Sequence, residues 1–221
     1  MFPLKKTIVS IAKANLFGLM MICAFLAIIV VLFIVATVTF VTSHLINIEK
    51  GWLDTIVSWI IGIVTGIGGW FMLPALIVLI SGFFQGKVIT RVELIYYPCS
   101  VRKKEPNVWP DIGHDIKFTM WAIFLNLLIL PLYLFGIGFF VSIALNSYLV
   151  GREVFECVAG HHMGKPQAKK LGRKNSKTVY LSGLLITLTT LIPVLNLFIP
   201  IIATVWMVHV YHFMANDKPL A

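Results

Sequence analysis

The apolar positions of this chain run in blocks rather than stripes. Four stretches, roughly Ala14 to Thr42, Ile56 to Phe84, Phe118 to Ser147 and Val179 to His209, each hold about thirty residues with almost no charge. A helix needs about 20 residues to cross a bilayer core, so the pattern predicts an all-α integral membrane protein. The basic residues do not alternate as four plain spans would require. Lys plus Arg number three before the first stretch, one (Lys50) before the second, six before the third, seven before the fourth and one (Lys218) after it. Four spans would place the segment with seven outside. Basic loops of this length resist translocation, and an outer loop should look like His44 to Thr55, with Glu49, Asp54 and a single Lys. One stretch is therefore expected not to cross.

The third stretch is the best candidate, because Pro131, Gly136 and Gly138 interrupt LLILPLYLFGIGFF near its middle. Proline deletes a helical hydrogen bond and glycine permits a reversal. Two arms of about fourteen residues would each reach about 21 Å into a core about 30 Å thick, then return. The fourth stretch repeats the design, with Pro193 and Pro200 bracketing Asn196. The expectation is two long transmembrane helices (14–42 and 56–84), two re-entrant hairpins (118–147 and 179–209) and amphipathic cytoplasmic helices, in one membrane domain over 1–221. Kinked spanning helices are the alternative, since proline is tolerated where neighbours satisfy the freed backbone groups.

Composition agrees, with 59% hydrophobic and 12% charged residues. The first stretch follows Lys5, Lys6 and Lys13 and reads as a signal anchor rather than a cleaved leader. The net charge of +9 sits almost wholly in two segments assigned to the cytoplasm, where topology and anionic headgroups account for it without nucleic acid. Cys23 lies in an apolar stretch and Cys99 and Cys157 in expected loops of a reducing compartment, so no disulfide is expected. Cys157, His161 and His162 in ECVAGHH offer soft ligands, but a solvated loop broken by Gly160 and Gly164 is the preferred reading, with no metal and no cofactor. Phosphate-loop, serine-hydrolase and zinc-protease motifs are missing, so no enzyme is expected.

After the second stretch, GKVITRVELIYYPCSVRKKEP reads as an amphipathic continuation ended by Pro98, with Tyr96 and Tyr97 at headgroup level. Arg91 and Glu93 are two apart and cannot pair on one helical face. Asp111 is placed to cap the helix entering the third stretch, with Asp115 near its N-terminal dipole. The basic run Lys165, Lys169, Lys170, Arg173, Lys174 and Lys177 suits an orienting or lipid-facing role. The most polar sequence touching the membrane is NSYLVGREVFECVA, where Arg152 and Glu156 are four apart and can form a structural ion pair on one face. Arg152 and Arg91 on the cytoplasmic side and Asn196 at a hairpin tip are candidate substrate-path residues, because polar groups at such positions are expensive unless paired or facing water.

Asn146, Tyr148, Leu149, Gly151, Arg152, Glu153, Phe155 and Glu156 resemble the N-x-Y-L-x-G-R-E-Y-F-E signature of the CysZ-like sulfate permease family, relatives of the etoposide-induced membrane protein. IPVLNLFIPIIAT (Ile192 to Thr204) resembles the family's I-P-x-L-N-L-F-x-x-P hairpin, and GFFQGKVITRVE (Gly82 to Glu93) its second-span exit. The resemblance implies uptake of sulfate by a homo-oligomeric, channel-like permease of a bacterial inner membrane, feeding cysteine synthesis; cytoplasmic termini are expected from the Lys and Arg counts. Two departures stand out. The family's glycine, aliphatic residue and two arginines ahead of the first span are replaced by MFPLKK, whose ammonium groups lack the flat bidentate fork that suits an oxyanion, and Val154 stands where the family usually has Tyr. A non-transporting membrane scaffold of the same fold is the alternative.

Overall fold

The computed structural model describes residues 4–45, 51–100 and 109–216, and every regular element among them is helical. In chain order these are α1 (Leu4–Lys13), α2 (Leu16–Leu45), α3 (Gly51–Tyr96), α4 (Trp109–Ile129), α5 (Gly138–Met163), α6 (Lys165–Lys174), α7 (Ser176–Thr190), the single turn α8 (Pro193–Asn196) and α9 (Ile199–Asn216). Glu49 and Lys50, the basic residues Arg102, Lys103 and Lys104, and Lys218 lie outside the described residues.

The chain divides into two compact units, Phe17–Phe83 and Met1–Leu16 with Phe84–Ala221. The first carries most of α2 and α3. These helices meet at Gly69, where an added Cβ would lie 3.1 Å from Val31 and 3.2 Å from Val35. A small residue at a crossing lets two apolar helices approach closely when lipid supplies no hydrophobic drive between them. Large apolar side chains face outward among the described residues, Phe25, Phe33, Phe40, Trp59 and Phe83 among them. Residues Leu16–Thr42 are long and apolar enough to cross a membrane, as are Gly113–Tyr133 at the start of the first expected hairpin. Several side chains of the second expected span, between residues 52 and 75, lie outside the described residues.

The other unit is built around α9, whose Ile201, Ala203, Val205, Met207 and Val208 are buried and which packs on α1, α5 and α7. Both predicted interruptions break a helix. A 3-10 turn over Leu130–Tyr133 carries Pro131 at its start, Gly136 follows with φ of 72°, and α5 begins at Gly138. Gly138 is obligatory, since a Cβ there would lie 2.6 Å from the Tyr133 backbone nitrogen. The second interruption places α8 between α7 and α9.

Three local expectations need correction. The helices that flank the first break run past the expected bounds of 118–147: α4 has 21 residues and already includes Trp109, and α5 has 26 and ends at Met163. Cys157 to Met163 is not a loop but the end of α5, because Gly160 is buried within the helix and only Gly164, with φ of 83°, ends it. The basic run after Gly164 is likewise helical. Finally, Asp111 is already within α4, which includes Trp109, and its side chain lies outside the described residues.

Candidate functional site, a cationic cavity beside the Arg152 ion pair

α5 and α7 form the most extensive helix contact of this unit. Its centre is a glycine pair. A Cβ on Gly151 would lie 2.6 Å from the Val179 carbonyl, and one on Gly183 would lie 2.0 Å from the Ser147 carbonyl. Only glycine permits that approach, and it sets the next residue, Arg152, at the mouth of a cavity between α5, α6 and α7.

Arg152 Nε donates to Glu156 Oε1 at 2.6 Å, and its NH1 donates to the Tyr148 hydroxyl at 3.2 Å. The guanidinium lies over the Phe118 ring, 5.0 Å from its centroid. Burial alone would pull the Arg152 pKa down, but the hydrogen bonds and charge of Glu156 outweigh it, so the group stays cationic. On the other carboxylate oxygen, Glu156 Oε2 has His114 Nε2 at 3.3 Å. Asp115 forms an ion pair with Lys165, joining α4 to the start of α6.

The cavity has a volume of about 360 Å³ and is lined by Tyr148, Arg152, Phe155, Glu156, Lys169, Gly172, Arg173, Ser176, Lys177, Val179 and Tyr180. Lys169 and Arg173 are one helical turn apart on α6, so they face the same side. Gly172 brings that face close to α5, because a Cβ there would lie 3.1 Å from the buried Phe155 ring. Lys177 and Ser176 come from the first turn of α7, whose backbone amides carry the positive end of the helix dipole. Arg152 is matched by Glu156, which leaves Lys169, Arg173 and Lys177 as three cations in excess around the cavity.

The profile of the Sulfate transporter CysZ/Etoposide-induced protein 2.4 family matches residues 4–200. The chain belongs to this family. No curated protein and no solved structure matches it. The CysZ/etoposide-induced signature now has a physical reading: Gly151 makes the crossing, Arg152 and Glu156 form the pair at the cavity, and Phe155 fills the core behind it. Glu153 instead lines a second, more open cleft of about 740 Å³ between α4 and α5, with Thr119, Asn126 and Ser142.

The remaining sequence candidates lie apart from the cavity. Arg91, exposed on α3, donates to the Asn15 carbonyl at 3.5 Å. Asn196 is half-buried in the α8 turn, beyond the far end of α7. That helix's 15 residues make it about 22 Å long. The sequence suggests an orienting role for Lys169, Arg173 and Lys177, and their convergence depends on α6 folding back, which adjacent positions in the sequence do not reveal.

Proposed function

We propose that the protein is a sulfate-class oxyanion permease whose cytoplasmic anion site is the cavity between α5, α6 and α7. The observation that supports this most is the excess of three cations, joined by the α7 N-terminus, around a cavity open to small ions. Positive charge in a walled recess raises the local anion concentration and the rate of capture. The two helix breaks, with Asn196 at the second, continue the path into the membrane, where unwound backbone is tolerated only if buried or facing water. In this reading both breaks are tips of re-entrant hairpins, the termini and both basic segments are cytoplasmic, and several copies assemble in the inner membrane. Crossing length in α4 fits an arm that penetrates deeply. The site replaces the missing N-terminal arginine pair as the place where sulfate is held.

Flux into liposomes containing the purified protein tests the proposal, with sulfate, phosphate and chloride compared. Sulfate flux is expected to fall about tenfold at low salt in a Lys169→Gln, Arg173→Gln, Lys177→Gln variant, and less at high salt where exposed charges are screened. Asn196→Leu is expected to lower flux at every ionic strength. A folded wild-type protein that passes no sulfate would leave the scaffold reading in its place.

A further inference from the structure

Away from the anion cavity, the last turns of α3 carry a carboxylate that the cavity does not use. Glu93 is fully buried. Its Oε1 lies 2.7 Å from His162 Nε2 on α5 and 3.0 Å from His212 Nε2 on α9, and the three ligand atoms lie within 4.8 Å of one another. Both imidazoles are held in plane by stacking: Tyr211 lies parallel to His162 at 4.9 Å between centroids, and Tyr97 to His212 at 3.8 Å. One oxygen receives both imidazoles, while Oε2 is buried without a hydrogen-bond partner. A buried carboxylate oxygen left without a partner is costly, and a bound cation would satisfy it.

Two converging imidazoles and a carboxylate are a donor set for divalent first-row transition metals, zinc and non-haem iron among them. Ligand atoms about 2.1 Å from a tetrahedral ion are about 3.4 Å apart, so the separations of 2.7 and 3.0 Å open by about 0.7 and about 0.4 Å while the two imidazole nitrogens, within 4.8 Å of each other, close on the ion, shifts within the reach of side-chain rotation. The neighbouring His209 is committed elsewhere. Ser10 Oγ donates to the Lys6 carbonyl at 2.6 Å and so accepts from His209 Nε2–H at 2.8 Å, which leaves Nδ1 to accept from the Tyr97 hydroxyl at 3.0 Å. A fourth position falls to water entering past His162, whose side chain is 12% exposed.

We propose that Glu93, His162 and His212 form a binding site for one divalent transition-metal ion, which clamps α3, α5 and α9 together. His212 lies beyond the residues that the family profile matches. The clamp is independent of the anion cavity, so it stands or fails apart from the transport reading.

The test uses the untagged full-length protein in detergent. Titration with Co²⁺ is expected to give visible d–d absorption saturating at one equivalent and bleached by Zn²⁺, and the melting temperature should rise with the logarithm of free Zn²⁺. Glu93→Gln and His212→Asn should weaken Co²⁺ binding by at least the roughly 10–100-fold that loss of a mere outer-shell partner costs, while His161→Gln binds as the wild type does. Should the two variants not fold, zinc X-ray absorption on the wild-type protein decides, with imidazole and oxygen neighbours and no sulfur expected. Absence of stoichiometric Co²⁺ absorption in the wild type, unaltered binding in folded Glu93→Gln, or a sulfur neighbour from a cysteine would each overturn the proposal.

Discussion

At the scale of single residues, the chain concentrates its constraints where side chains are absent or charged. Gly183 has the least room of any described glycine, with the Ser147 carbonyl 2.0 Å from where a Cβ would stand. Gly183→Ala must push α7 off α5, and a loss of about 3 kcal/mol or more is expected in thermal melts, in the range of the larger overpacking penalties. Gly82→Ala, with open space around it, is the matched control. The Arg152–Glu156 pair allows a second test, because its side chains are only 14% and 6% exposed. Removing Glu156 leaves Arg152 among three other cations, a loss of about 3–5 kcal/mol, and removing Arg152 strands a buried carboxylate. The double alanine variant should lose less than the sum of the singles, with a coupling of about 1–3 kcal/mol. Strict additivity in the melts would show that the two groups do not depend on each other.

At the scale of elements, α1 is attached by polar rather than apolar contacts. Thr7 and Ser10 are buried, whereas Leu4 and Ile8 are exposed. The relay from Tyr97, the residue after α3, through His209 to Ser10 therefore joins the end of α3 to α9 and α1. Ser10→Ala strands the His209 Nε2–H donor and should cost about 1–3 kcal/mol, read as earlier proteolysis near Asn15 and a lower melting temperature. His209→Phe, which leaves Ser10 bonded to Lys6, tests the same link from the other side. Protease sensitivity unchanged from wild type in both would show that α1 is held by other contacts. The sequence made the helix breaks legible, because Pro131, Gly136, Pro193 and Pro200 act locally. It concealed the continuation of α5 through Cys157 to Met163, since Gly160 reads as a breaker, yet a glycine inside a helix costs only about 1 kcal/mol and the burial of Val158 and Ala159 beside it outweighs that.

At the scale of the whole molecule, the i, i+4 spacing of Arg152 and Glu156 was visible in the sequence, but the surroundings that give it a use were not. Lys169, Arg173 and Lys177 reach it only after two helices fold back, and Glu93 finds His162 and His212 at separations of 69 and 119 residues. No periodicity connects positions that far apart. The orientation of the molecule is a further prediction, from the Lys and Arg counts of three, six, seven and one set against one. Cysteines introduced in place of Lys50 and Lys174 should differ in intact cells: the first reacts with an impermeant thiol reagent from outside and the second only after lysis. Labelling of position 174 from outside would replace the hairpin arrangement with plain crossings.

The glycine contact between α5 and α7 also acts as a notch that fixes their axial register, and this limits how relatives can vary in length. One residue inserted between Lys177 and Gly183 would turn the lysine by about 100° about the α7 axis while the notch stayed seated, swinging its charge out of the cavity. One residue inserted at the Gly164 bend, outside both helices, would leave that alignment intact. Insertions and deletions accumulated over evolution should therefore collect near residue 164 and be missing from the seven positions 177–183.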